Sequence, residues 1–341
     1  MKLTEQPSLK SLNTFGLESS AALLVEIESE EDVLALPGFD PAFDLILGGG
    51  SNVVFLSDVP GTVYLNRIHG IEIAGESDDL VQIEVGAGEF WHRLVMWSLE
   101  RGLNGLENLS LIPGSAGAAP IQNIGAYGVE LSSVLESVTA WDWRFSCWVT
   151  LNREDCRLGY RDSIFRSGEA NRYLVTSLRL ALSRRFEPRT DYHGLREEIE
   201  RTARGQKLTA TDVSNAVIRL RRAKLPDPDK SGNAGSFFKN PVVDADQADE
   251  LQSRHPGIPC WPQQDGRYKL SAAWMIQSCG LKGRREGGAS VSEKHALVLV
   301  NHGGASGHDI SALAVEIQKA ISESFGIRLE PEPRLIEFTQ S

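Results

Sequence analysis

The sequence predicts an α+β protein made of more than one packed unit, and three observations carry that expectation. At 341 residues the chain is longer than one hydrophobic core usually organises. Its first half alternates short apolar runs with glycine-rich turns, the pattern of short strands. Its last third carries amphipathic helices with clear stops.

Taken in order, residues 43–47 (FDLIL) read as a strand, 48–52 (GGGSN) as a turn and 53–56 (VVFL) as the next strand. Residues 80–85 (LVQIEV) alternate apolar and polar, as a half-buried strand does. From 89 to 101 the period becomes helical, with Trp91, Leu94, Val95 and Leu99 on one side and Gly102 as the stop. The charge-rich stretch 183–210 reads as a connection with a short helix. A helix starts near Thr211, capped by Thr211 or Asp212, shows Val213, Val217 and Leu220 on one face, and ends before Pro226 and Pro228. Residues 270–279 read as a helix closed by Gly280, and 296–300 (ALVLV) as a buried strand. Ile310, Leu313, Ile317 and Ile321 align on a helix over 309–325 that Gly326 terminates, and 327–338 returns extended. A domain boundary is expected near residues 195–210, to within about ten residues.

Bulk properties narrow the function. A net charge of −11 argues against a general binder of nucleic acid or anionic membrane. No apolar run approaches membrane-spanning length, and the N-terminal segment has no signal-peptide core, so a cytoplasmic location is expected. The four cysteines form no C-x-x-C pair and the seven histidines no zinc-like spacing, so no metal is expected. Within this acidic chain, Arg219, Arg221, Arg222 and Lys224 fall together: either one solvated helix face or a grip on phosphate or carboxylate.

Several segments carry chemistry. Gly48, Gly49, Gly50, Ser51 and Asn52 follow a strand, where successive glycine N–H groups can nest an anion; a ligand-free turn fits equally well. The spacing is neither G-x-G-x-x-G nor a P-loop, and a strand follows it, which disfavours a Rossmann unit. A second small-residue loop, 113–120 (PGSAGAAP), runs into 121–128 (IQNIGAYG). Its residues include Gly114, Ser115, Gly117, Asn123, Gly125, Ala126 and Tyr127. So few bulky side chains bury little area, which points to close approach of a flat or phosphorylated ligand; two such loops suit a dinucleotide against backbone amides. Arg161, between Tyr160 and Asp162, can polarise a carboxylate or form a surface pair. Pro331 and Pro333 fix the backbone around Glu332, which in a dry site is an acid or orienting base and on an edge strand a solvated carboxylate. Residues 232–241 (GNAGSFFKNP) set Ser236 after Gly232, Ala234 and Gly235, which allow close backbone approach, and before two anchoring phenylalanines and a lysine. A hydroxyl held beside a cation is a candidate proton donor.

These segments in this order, with 13–15 (NTF), 159–163 (GYRDS), 224–228 (KLPDP) and 329–334 (LEPEPR), resemble the UDP-N-acetylenolpyruvoylglucosamine reductase (UDP-N-acetylmuramate dehydrogenase) family of bacterial flavoenzymes of peptidoglycan precursor synthesis. The matching pieces cover nearly the whole chain. GNAGSFFKNP and PIQNIGAYG are specific, whereas GGGSN is shared with wider FAD-linked oxidases.

The resemblance implies an FAD-binding fold of two α+β subdomains, about 1–70 and 71–200, then an α+β substrate-binding domain over 201–341. It implies an NADPH-dependent oxidoreductase with noncovalent FAD that reduces an enolpyruvyl nucleotide sugar, serving cell-wall synthesis, cell shape and division, and acting as a cytoplasmic monomer. By position, Ser236 is the proton donor, and Arg161 and Glu332 polarise the substrate carboxylate. The two loops, with Arg221 and Arg334, hold the cofactor. Tyr160, Lys224 and Asn240 contact the substrate, the lysine at its phosphates, which gives part of the basic cluster an anionic partner. Tyr192 matches the subclass whose extra tyrosine loop folds over the nucleotide. Ala118 and Ala119 replace serines of some relatives, so backbone amides would carry more of the pyrophosphate binding. An FAD-linked oxidase with another substrate, or a nonenzymatic flavin or nucleotide-sugar module, are the competing readings; GNAGSFFKNP is unexplained by the first.

Overall fold

A computed structural model describes residues 1–203, 207–263 and 265–338. The chain divides into two compact units: Met1–Pro7, Ala21–Gly50 and Val59–Ala223 form the first, and Ser8–Ser20, Ser51–Asp58 and Lys224–Ser341 the second.

The first unit holds two larger sheets. One has the order Lys2–Glu5, Ala21–Ile27, Val59–Asn66, Leu45–Leu47, with the first pair antiparallel and the others parallel. The other is antiparallel throughout, in the order Cys147–Asn152, Leu135–Asp142, Tyr173–Ser183, Leu80–Gly86, Ile71–Glu76. The alternation in Leu80–Gly86 sends Val81, Ile83 and Val85 into a core with Trp91, Leu94 and Val95 of the Trp91–Glu100 helix. On the opposite face Glu84 pairs with Arg179 at 3.0 Å, so one face is packed and the other polar. Gly102, at φ 68°, ends that helix as the sequence suggests.

Helices Leu195–Ala203 and Ala210–Lys224 pack through Leu195, Ile199, Val213, Ala216 and Val217. The second helix is capped earlier than its periodicity implies. Thr209 Oγ1 accepts the Asp212 N–H at 3.2 Å and Asp212 Oδ2 accepts the Thr209 N–H at 3.0 Å. Asp212 is thus the acid of a capping box with Thr209, and neither Thr211 nor Asp212 is the cap.

The second unit is built around helices Ala245–Arg254, Ala272–Ser278 and Gly307–Phe325 with short strands between them. Ile310, Leu313, Ile317 and Ile321 line its core as their spacing predicts, with Phe15, Phe237 and Phe238. Ala296 and Leu297 are buried in a turn and Val298 makes a single bridge to Ser236; the strand is Leu299–Asn301, beside Ala289–Val291. Val53–Phe55 pairs parallel with Arg334–Ile336.

The expected boundary is displaced. The passage between units lies at Ala223 and Lys224, not within 195–210, and two early segments join the second unit. Val213 and Val217 hold the Ala210–Lys224 helix to the first unit, while Val53–Phe55 finds its strand partner near the C-terminus. Residues 204–206 of the expected boundary lie outside the described residues. No helix among the described residues is long and apolar enough to cross a membrane.

Candidate active site

In the first unit the two small-residue loops lie against each other. A Cβ on Gly49 would stand 2.6 Å from Gly114 Cα, and one on Gly48 would stand 2.7 Å from Ser115 Oγ. A Cβ on Gly117 would meet Ala87 Cβ at 2.4 Å. Their small size therefore answers first to loop-on-loop packing, a demand that the sequence reading assigned to a ligand. The amides of 116–119 are also engaged within the protein: Ala116 to Glu89 O at 2.7 Å, Gly117 to Ala87 O at 2.8 Å, Ala118 to Ser115 O at 3.1 Å and Ala119 to Ala116 O at 2.9 Å. Any larger share of pyrophosphate binding by backbone amides therefore falls to amides outside 116–119. Ser115 Oγ instead is buried without a partner among the described residues. A buried hydroxyl usually has one, so Ser115, between Gly114 at φ 110° and the glycine loop, fits a ligand oxygen.

Asn123, Tyr127 and Arg161 all adopt left-handed backbones, at φ 44°, 50° and 54°. Such strain on residues other than glycine persists where surrounding contacts enforce it. Asn123 Nδ2 donates to Glu130 Oε2 at 2.9 Å and Gly159 O at 3.1 Å, and its Oδ1 accepts the Ser132 N–H at 3.0 Å. That side chain staples the loop and is committed there. Arg161 Nη2 donates to Gly125 O at 2.7 Å, with its guanidinium 5.6 Å from the Tyr160 ring centroid. Gly125 and Ala126 pair as a short strand with Val129 and Glu130. The Tyr127 ring meets Tyr192 edge-on at 5.1 Å, and burial pushes the Tyr127 hydroxyl up to about 12. Asn108 Nδ2, absent from the sequence reading, donates at 2.8 Å to both Tyr127 O and Arg189 O.

The basic cluster divides. Arg219 pairs with Glu198 and Arg222 is exposed, whereas Arg221 is half-buried and donates Nε–H to Leu111 O at 3.2 Å. Burial lowers the pKa of Arg221; Tyr127 opposes that and Arg161 adds to it. Leu111 is itself left-handed, at φ 58°, and its N–H donates to His92 Nδ1 at 3.0 Å. Neither Leu111 nor His92 carries a sequence signal, since a leucine between loops and one histidine on an amphipathic helix look ordinary.

In the second unit Ser236 and Glu332 come together through the backbone. Phe237 O accepts the Glu332 N–H at 2.7 Å, Phe237 N–H donates to Leu297 O at 2.7 Å, and Lys239 N–H donates to Glu330 O at 2.9 Å. Ser236 bridges Val298 and Phe238 bridges Pro331, so the serine segment runs between the two. Lys239 Nζ pairs with Glu330 at 3.2 Å; the cation expected beside the hydroxyl is engaged there instead. A Cβ on Gly232 would lie 2.0 Å from Phe15 O, which accounts for the glycine, and Gly235 turns at φ 71°.

Asn52 belongs with this cluster. Its Nδ2 donates to Glu332 O at 3.2 Å and its carbonyl accepts the Arg334 N–H at 2.9 Å. The 48–52 loop is thus shared, with Gly48, Gly49 and Gly50 in the first unit and Ser51 and Asn52 in the second. Asn240 Oδ1 accepts the Ala272 N–H at 3.0 Å, and Arg334 is exposed as a residue although burial of its guanidinium lowers its pKa. Lys224 is exposed and lies near His295, whose pKa is lowered by burial and then by Lys224 and Lys282.

Residues 227–336 match the family described as the C-terminal domain of UDP-N-acetylenolpyruvoylglucosamine reductase, and 21–144 match the FAD binding domain. The chain is similar to UDP-N-acetylenolpyruvoylglucosamine reductase of Pseudomonas aeruginosa, 48% identical over 98% of this chain and 99% of the relative. It is similar also to that of Bordetella pertussis, 47% identical over 96% of this chain and 93% of the relative. Among solved structures it resembles the UDP-N-acetylenolpyruvylglucosamine reductase of Thermus caldophilus, with a TM-score of 0.67 at 26% identity over 98% of each chain.

Proposed function

The chain belongs to the UDP-N-acetylenolpyruvoylglucosamine reductase family, and on that premise we propose the reaction and the roles of its residues. It is an FAD-containing, NADPH-dependent oxidoreductase that reduces the enolpyruvyl group of UDP-N-acetylglucosamine enolpyruvate, giving UDP-N-acetylmuramate for peptidoglycan precursor synthesis. Held by the two small-residue loops, FAD would supply the hydride-transfer chemistry that links NADPH to the enolpyruvyl double bond.

The observation that carries the residue assignment is the hydrogen bond between Glu332 N–H and Phe237 O, which keeps Glu332 beside the Ser236 segment. Ser236 gives a proton to the carbon next to the substrate carboxylate. A serine is a weak acid, so the step needs neighbours that lower the cost of its alkoxide and a group that returns the proton. Glu332, fixed between two prolines, or a bound water serves the return, and Glu332 orients the carboxylate. Arg161, anchored on Gly125 O, stabilises the negative charge that develops on that carboxylate. Lys224 meets the UDP phosphates, Tyr160 and Asn240 contact the substrate, and the Tyr192 segment folds over the nucleotide. Gly48, Gly49, Gly50, Ser51, Asn52, Gly114, Ser115, Gly117, Asn123, Gly125, Ala126, Tyr127, Arg221 and Arg334 form the cofactor set, with Ser115 Oγ as its clearest side-chain contact. The enzyme acts in the cytoplasm as a monomer.

Anaerobic mixing tests this. NADPH should bleach the yellow protein, and the enolpyruvyl nucleotide should restore the colour. Ser236→Ala should leave bleaching nearly intact and slow recovery at least about a hundredfold, the low end for general acid catalysis. Equal loss in both halves would refute the proton-donor role.

A further inference from the structure

Arg221 stands out in the first unit as a half-buried guanidinium with no carboxylate partner among the described residues. Its recorded protein contact is Nε–H to Leu111 O at 3.2 Å. Burial lowers its pKa, Tyr127 opposes that and Arg161 adds to it, so the charge sits partly desolvated where an anion would relieve it. What aims it is the Leu111 carbonyl, and Leu111 is in a left-handed conformation that leucine disfavours. The N–H of Leu111 is held at 3.0 Å by His92 Nδ1, on the first turn of the Trp91–Glu100 helix. That bond requires an unprotonated Nδ1, and burial with Arg222 and Arg221 nearby disfavours protonation.

We propose that His92 is a positioning residue for the cofactor: it accepts the Leu111 N–H, fixes the strained Leu111 peptide, and through the Leu111 carbonyl keeps Arg221 in place to bind the flavin nucleotide. The inference rests on the reading of Arg221 as a cofactor contact. It assigns a role to a helix residue that no motif marked.

The test is FAD affinity, measured by fluorescence quenching when flavin-stripped protein is titrated with FAD. His92→Leu should weaken binding about tenfold, the factor set by the net worth of one hydrogen bond. His92→Asn, whose Oδ1 replaces Nδ1 as acceptor, should restore most of the affinity. Combined with Arg221→Met, His92→Leu should add little, because the arginine it positions is gone. Equal affinities for His92→Leu and His92→Asn would overturn the proposal, as would a full His92→Leu effect in the Arg221→Met background. If His92→Leu does not fold, His92→Phe keeps a ring, loses the acceptor and carries the same comparison. Arg221→Met binding FAD like the parent protein would instead remove the underlying reading of Arg221, and this inference with it.

Discussion

At the scale of single residues, strained backbone gathers in the candidate site of the first unit. Tyr127, Arg161 and Leu111 hold left-handed turns: Tyr127 O accepts from the Asn108 side chain, Arg161 donates to the distant Gly125 carbonyl, and the Leu111 N–H donates to the His92 ring. Glu332→Gln should keep the fold and slow the substrate half-reaction as Ser236→Ala does; normal turnover of the variant would reject its role. A second prediction concerns pH. His92 and His295 both have lowered pKa values, burial being the main cause in each. Unfolded histidines take up protons near pH 6.5 and these two resist until lower pH, so the unfolded chain binds more protons in between. Their stabilisation is fully present above about pH 6.5 and is lost as pH falls from there through the folded values. Melting temperatures should therefore drop between about pH 7 and pH 5.5, and His92→Asn should flatten the drop. An unchanged slope in that variant would count against the assignment. As candidates, Ser236, Arg161 and Glu332 could be singled out in the sequence because proline, glycine and aromatic neighbours marked them. His92, Leu111 and Asn108 could not, because their roles arise from hydrogen bonds to residues 19, 110 and 81 positions away.

At the scale of elements, helices were read well and their ends less so. Apolar spacing located the Trp91–Glu100, Ala210–Lys224 and Gly307–Phe325 helices, but the Thr209 cap became visible only in its reciprocal bonds to Asp212. Thr209→Ala should cost about 1 kcal/mol by denaturant unfolding, the usual worth of a cap. The loops behave differently. Gly49→Ala would put a Cβ within 2.6 Å of a backbone carbon of Gly114, so the two loops must part. It should destabilise the protein by about 1–3 kcal/mol and weaken FAD binding. Gly159→Ala is the control, since its added Cβ meets nothing within 4 Å, and it should stay within about 0.5 kcal/mol of the parent. Equal effects at the two positions would show that loop packing is not what demands Gly49.

At the scale of the molecule, the second unit is discontinuous in sequence. Thr14 Oγ1 donates to Asn233 O at 2.7 Å, Asn301 Nδ2 donates to Phe15 O at 2.9 Å, and Val53–Phe55 completes a parallel pair with Arg334–Ile336. A fragment of residues 201–341, the domain expected from the linear pattern, lacks all of these and should show no cooperative melting by circular dichroism. A sharp transition in that fragment would contradict the division found in the structure. By itself the sequence determined the α+β class, the main helices, the two small-residue loops and the family resemblance. Each is written in local period, composition or motif order, which the chain carries without folding. Tertiary structure alone decided that Asn52 lies with Glu332, that Lys239 answers Glu330, that the two glycine loops press on each other and that a histidine braces Arg221. The physical reason is that each of these is a contact between segments far apart in the chain. Periodicity shows which face of a segment is buried, but not which distant backbone group will meet it.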